Sequence, residues 1–482
     1  MRLVFAALTL WTAHQAVVAK EQLGSPRPEA EAAGRECIST DASDGSSDKE
    51  CKAAPSTSVY VVGDIHGDAK CAVSWVNRTG LVRNLIDYSL NEDLPIYERT
   101  TQPSVWTWAD SSSTLVFMGD YVDKGPLSRF VIEFVKSLTD KFPDQVTALL
   151  GNHELELLHD RELQPVRRYM SFSYATVHVG DYHPYLSREL DEKDDLVLDL
   201  LYEAAMEVYS HRAHSAVRFV PSLPHPSGSR DGYGVMYAVT DLMPSEYREL
   251  ARERLQEWQD AYLNSFRSDT EWGKWLEHRP ILHFDQNTGT VFVHGGISLE
   301  IAKSHLSNGM EGIQSLNSNW YANSQEGKIA DFIGRGSTTV DAGSAVYELL
   351  TYRGNHPGYS NWENSGAVDD DPGTTDKSCE QLRVVLSSME GIDRIAVGHT
   401  PDFDVRINCD GAFLALDSMV GRWIRGTGNE YCPGKEHIES RGGKINLTSR
   451  DGRYVCDEIK DQCEGQIVRI DSSDGSVNIL TL

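Results

Sequence analysis

Six short runs of apolar, largely β-branched residues stand out along the chain. They are SVYVV (58–62), STLVFM (113–118), TALL (147–150), TVFV (290–293), RIAV (394–397) and AFLAL (412–416). Runs this short with so few polar interruptions read as buried strands. Residues 128–142 follow another period, with apolar positions at 130, 131, 134, 135 and 138. That spacing predicts a helix, with Ser128 as its cap. Strand, loop and helix in succession predict an α/β fold.

Between 155 and 280 the pattern becomes helical, most clearly over 189–214 and 244–266. We read this stretch as a helical insertion, or cap, over the sheet. Residues 361–380 read as a long acidic loop, and 421–463 as an irregular, cysteine-tied segment. The last run, GQIVRIDSSDGSVNIL (465–480), predicts a hairpin about a Ser-Asp-Gly turn. No internal repeat is found.

The first residues carry Arg2, an apolar run from Leu3 to Trp11 and small residues up to Ala19. This is the pattern of a signal peptide over 1–19. Residues 20–56 are poor in apolar side chains and predict a flexible segment. No later run has the length to span a membrane.

The chain has 482 residues, long enough for a large core, and a formal charge of −27. That balance argues against a nucleic-acid partner, which needs a basic face. The eight cysteines (37, 51, 71, 379, 409, 432, 456 and 463) contain no CxxC pair, so a thiolate zinc site is not expected. An even count behind a signal sequence predicts disulfides, and proximity suggests Cys37 with Cys51 and Cys456 with Cys463. Sequons at Asn77 and Asn446 fit the same route. The expectation is a secreted or lumenal glycoprotein.

Five polar motifs follow apolar runs directly: GDIHGD (63–68), GDYVDKGP (119–126), GNHE (151–154), HGG (294–296) and GHT (398–400). In an α/β sheet, loops leaving the carboxyl ends of strands share one rim. The side chains are oxygen and nitrogen donors, suited to Mn, Fe or Zn. Two ions about 3.5–4 Å apart need a bridging carboxylate and a bridging water or hydroxide. Each motif alone is a common loop, and Asp often serves its own turn. Five in this order point to a metal site.

This set resembles the calcineurin-like metallophosphoesterases, within them the phosphoprotein phosphatase superfamily, and most of all its Shewanella-like branch. The helical stretch, GKWLEHRPILHF (273–284) and TVFVHGGIS (290–298) suggest the branch. The resemblance implies a β-sandwich flanked by helices. It implies a catalytic domain over 57–425, with the 155–280 insertion, followed by a cysteine-containing segment, 426–482. It implies that Asp64 and His66 hold one metal, that Asp120 bridges, and that Asn152, His294 and His399 hold the second. His153 would be the general acid, oriented by Asp123. Lys124 stands where the family usually has Arg, and with Arg353 would bind phosphate.

The activity so implied is hydrolysis of phosphomonoesters, with a phosphoprotein or a small phosphoester as substrate. A phosphodiesterase or nucleotide pyrophosphohydrolase would use the same ligands. A secreted binding protein with a vestigial site is the non-enzymatic alternative. A purple acid phosphatase needs a Tyr ligand three residues beyond the bridging Asp, where Asp123 stands.

Overall fold

The computed structural model describes residues 57–85, 103–162, 181–200, 243–333, 341–356, 372–422 and 462–482. Chain contacts separate residues 1–55 from 56–482, and all described residues lie in the second unit. The expected signal peptide, the segment to residue 56, the Asn446 sequon and residues 361–371 lie outside the described residues.

All six apolar runs contain strands. They are β1 (Ser58–Val62), β4 (Ser113–Phe117), β5 (Val146–Ala148), β7 (Thr290–Val293), β8 (Arg394–Val397) and β10 (Phe413–Ala415). A two-stranded ribbon, β2 (Val82–Arg83) with β3 (Thr107–Trp108), stands apart from them. Also present are β6 (Leu282–Asp285), β9 (Arg406–Asn408), β11 (Ile467–Asp471) and β12 (Val477–Leu480). Two five-stranded sheets result, in the orders β12-β11-β1-β4-β5 and β6-β7-β8-β10-β9. Strands β1, β4 and β5 run parallel, as do β7, β8 and β10.

Strand side chains alternate between two faces. Val59, Val61, Val116, Phe292, Ala396 and Leu414 form one apolar cluster. Their neighbours Val62, Leu115, Phe117, Val291, Val293 and Ile395 join a second, larger cluster with residues of the helices. The first is the filling between two sheets and the second the contact with flanking helices, so the fold is the α/β sandwich expected. Burial on both faces explains why the strands read as unbroken apolar runs.

The helices that matter here are α1 (Ala69–Thr79), α2 (Ser128–Lys141) and α3 (Asn152–Asp160). Ser128 does not cap α2. Leu127 holds the cap position without a side-chain bond, and the Ser128 hydroxyl accepts the Asp123 N–H at 3.0 Å instead. The Ser128 N–H is met by Asp181 Oδ1 at 2.9 Å, a carboxylate from far along the chain. Between 155 and 280, residues 192–200, Arg248–Asn264 and Glu271–Glu277 are helical. The stretch read as an acidic loop is helical from Pro372, and this helix runs to Ser387. Proline suits the first helical turn, where its missing N–H costs nothing.

The terminal hairpin forms as expected, β11 pairing with β12. It does not stand alone, because β11 also pairs antiparallel with β1. The expected Cys456–Cys463 pair is replaced: Cys463 bonds Cys71 of α1. A second disulfide joins Cys379 to Cys409. Nearness in sequence fails here because the fold brings distant segments together. Cys37, Cys51, Cys432 and Cys456 lie outside the described residues.

Candidate metal centre

The five motif loops converge where the parallel strands end. The GDYVDKGP and GNHE loops touch backbone to backbone. Gly119 has φ +101°, and a Cβ there would lie 2.6 Å from the Gly151 nitrogen. Only glycine permits that approach.

Two groups of donor atoms share Asp120. One joins His66, Asp120 and His153, and the other Asp120, His294 and His399. In the second, Asn152 Oδ1 lies 3.0 Å from His294 Nε2 and 2.8 Å from His399 Nδ1. His294 Nε2 is 3.3 Å from Asp120 Oδ1. In the first, His66 Nε2 is 3.4 Å from Asp120 Oδ2. His66 Nδ1–H donates to the Val122 carbonyl at 3.0 Å, and His294 Nδ1–H to that of Met118 at 2.8 Å. A carbonyl can only accept, so both Nε2 lone pairs face the site. Asp64 accepts the His399 N–H on Oδ2 at 2.9 Å, while its Oδ1 is buried without a hydrogen-bond partner. An orphaned carboxylate oxygen beside imidazoles and a second carboxylate is what a hard or borderline cation requires.

His153 differs from the other three histidines. Its Nδ1 lies 2.6 Å from Asp123 Oδ2, and its Nε2 points inward, 3.8 Å from Asp120 Oδ2. Its own N–H donates to Asp120 Oδ1 at 3.1 Å. Lys124 Nζ is 2.8 Å from His66 Nε2. Arg353 lies near enough to His399 to help lower its pKa, after the larger effect of burial. Every expected site residue therefore falls in one neighbourhood.

Charge is crowded here. Burial, and then the Asp417 carboxylate, push Asp64 well up. Burial acts the same way on Asp120, but His294 and His153 outweigh it and hold Asp120 well down. Burial opposes a charged His294, yet Asp120 and Asp64 prevail and raise it to about 9. Burial lowers Lys124 despite the acids around it.

Residues 57–217 match the calcineurin-like phosphoesterase family. The family that the motifs resemble is thus found over the first three of them. Among curated proteins, the chain is 34% identical to an uncharacterised protein of Schizosaccharomyces pombe over 108 residues, 22% of this chain and 27% of that one. It is 36% identical to an uncharacterised protein of Caenorhabditis elegans over 103 residues, 21% of this chain and 34% of that one. The chain thus spans about a quarter to a third of these relatives' length. Among solved structures it is similar to a cold-active protein-tyrosine phosphatase of a psychrophilic Shewanella species. The TM-score is 0.38 at 14% identity, covering 93% of this chain and 90% of that one. It is also similar to a protein serine/threonine phosphatase of Saccharomyces cerevisiae, with a TM-score of 0.35 at 12% identity, over 89% and 80% of the two chains. The family match and the donor set support a metal-dependent phosphoesterase.

Two residues of the centre escaped the sequence reading. Glu154, the last letter of GNHE, binds no expected metal. Its carboxylate accepts the N–H groups of Asp120, Tyr121, Val122 and Gly151 at 2.7–3.1 Å. Burial, and then Asp120, raise it to about 8, while bonds from Val122 and Tyr121 act the other way. Asp417 follows β10 as the motifs follow their strands, and it is buried beside Asp64. A polar residue directly behind an apolar run was the available signal for Asp417. Glu154 had none, since three of its four partners lie 32 to 34 residues earlier.

Two further side chains are accounted for. Asp68 of GDIHGD caps α1 and pairs with Arg422 at 2.9 Å. The Tyr121 hydroxyl donates to the Leu149 carbonyl at 2.7 Å, so Tyr121 does not supply a phenolate ligand.

Proposed function

We propose that the chain hydrolyses phosphomonoesters, with phosphorylated protein as the favoured substrate class. The observation that carries the reading is the Asp123–His153 pair, poised beside a cluster that shares Asp120. Asp64, His66 and Asp120 would hold one ion, and Asp120, Asn152, His294 and His399 the other. When bound, two such ions supply a hydroxide nucleophile at neutral pH and neutralise charge on the phosphoryl group. The chain's own part is to aim, neutralise and protonate. Asp123 fixes the His153 ring through Nδ1, which leaves Nε2 to give its proton to the departing alkoxide. Lys124 and Arg353 offer charge to phosphoryl oxygens left facing the protein. Water and ester enter, and alcohol and phosphate leave, with no phosphoenzyme.

We also propose that the chain is exported. Two disulfides are compatible with the secretory route, and among the described residues no helix is long and apolar enough to cross a membrane. Asn77 of the first sequon is exposed on α1.

The test is turnover after reconstitution with Mn, Fe or Zn. Phosphoserine, phosphothreonine and phosphotyrosine peptides are compared with a small monoester and a matched diester. Faster turnover of phosphopeptides is expected. Diester turnover exceeding all monoesters would replace this reading by a diesterase, and a metal-loaded chain that turned over none would make it a binding protein.

A further inference from the structure

We propose that Asp181 is a positioning residue for the general acid, acting through Ser128 on the aspartate that aims His153. This rests on the phosphatase reading above.

The connection is a line of hydrogen bonds. Asp181 Oδ1 accepts the Ser128 N–H at 2.9 Å. Ser128 Oγ accepts the Asp123 N–H at 3.0 Å. Asp123 Oδ2 meets His153 Nδ1 at 2.6 Å. Asp181, Ser128 and Asp123 are all fully buried, so bulk water does not compete for these bonds.

The line starts outside the motif loops. Asp181 stands just before the single turn His183–Tyr185. The rings of Tyr182 and Tyr185 pack edge-on against Tyr262, with centroids 5.8 and 4.9 Å away. Tyr262 belongs to the helix Arg248–Asn264. Arg129, next to Ser128 on α2, donates to the Pro184 carbonyl. Segment 181–185 thus grips the first turn of α2 at two adjacent residues, and that turn grips Asp123.

Asp123 needs such a grip. It and Lys124 have φ 71° and 61°, backbone that residues other than glycine avoid. The Asp123 carbonyl accepts the Gly125 N–H at 2.7 Å, a bond inside the turn itself. The bond to Ser128 instead ties the turn to a helix. A carboxylate aims a ring only as well as its own backbone is held, and a shift of about 1 Å can cost on the order of a hundredfold in rate. Burial pushes the Asp181 carboxyl well up, against the bonds from Ser128. Its part is to accept a hydrogen bond, which an amide oxygen also does.

The experiment compares Asp181→Ala, Asp181→Asn and Ser128→Ala in the metal-loaded chain, with aryl and alkyl phosphates as substrates. Metal content and KM are read beside kcat. Each alanine variant should lower kcat for the alkyl ester about tenfold, the loss of one buried hydrogen bond. Metal content and KM should hold. Aryl-ester turnover should stay within about twofold, because that leaving group needs no proton. Asp181→Asn should restore alkyl turnover. In the His153→Asn background neither alanine should cost more, because the ring being positioned is gone.

Equal losses for aryl and alkyl esters, loss of metal, or a further loss in the His153→Asn background would leave Asp181 a structural cap and overturn the proposal. So would unchanged alkyl turnover in either alanine variant, or an Asp181→Asn variant as slow as Asp181→Ala. Should Asp181→Ala not fold, Asp181→Ser replaces it, since that hydroxyl stops short of the Ser128 N–H. Normal alkyl turnover there overturns the proposal. If the wild-type chain prefers diesters, the same comparison is run with aryl and alkyl diesters. If it turns over no ester, the phosphatase reading fails by itself, and crystal structures of the Asp181 and Ser128 variants decide. A displaced His153 ring supports the link, and an unchanged Asp123–His153 contact overturns it.

Discussion

At the scale of single residues, the centre is built from backbone that side chains normally avoid. His66, Asp120, Asp123, Lys124, His399 and Met419 all have φ between 49° and 71°. Each such residue costs on the order of 1–3 kcal/mol, which the rest of the fold must over-determine. Glu154 is one source of that compensation, since four N–H groups across two motif loops close on its two oxygens. We expect Glu154→Gln to lower kcat at least tenfold, because an amide turns N–H groups toward N–H groups. Folded, metal-replete protein with unchanged kcat would refute this role. His153→Asn should retain the metals and lose kcat, with smaller losses for esters whose leaving groups need no proton. Equal losses for aryl and alkyl phosphates would remove His153 from acid catalysis.

At the scale of elements, legibility followed locality. The six apolar runs announced their strands because both faces of those strands are covered, and each motif because its strand ends beside it; β2, β3, β6 and β9, which are only partly buried, gave no such signal. The hairpin was visible in its turn chemistry, but its docking against β1 was not, since no local pattern names a partner some four hundred residues away. The capping rule erred at Ser128 for the same reason: it sees neighbours, whereas Asp181 arrives from elsewhere. Asp181→Ala should therefore destabilise the chain by about 1–2 kcal/mol, the usual cost of a lost cap. Lys141→Ala, at the exposed far end of α2, should stay within about 0.5 kcal/mol. Denaturant unfolding compares them, and equal effects would show that Asp181 is no cap.

At the scale of the molecule, the centre is a knot of buried acids near the junction of two sheets. Asp64 and Asp417 both have raised pKa values, burial being the larger cause for each. A group that binds its proton more tightly when folded stabilises the fold below its unfolded pKa. That contribution is lost as pH rises through the folded value. Without metal, these two acids should thus weaken the fold as pH rises from the ordinary carboxylate range. Metal binding reverses this, since ions need deprotonated ligands and favour the folded state. The gain in unfolding temperature on adding metal should be larger at pH 8 than at pH 5. A gain that is greater at pH 5 would contradict the assignment of these carboxylates.

The Cys71–Cys463 bond also makes most of the chain a covalent ring, closing over 392 positions. A protease that cuts once between those two residues opens the ring without dividing the molecule. Nicked protein should migrate as one species on a denaturing gel without reductant and as two with it. If Cys379 and Cys409 alone were joined, a single cut at an exposed site outside that short interval would release separate fragments in both lanes.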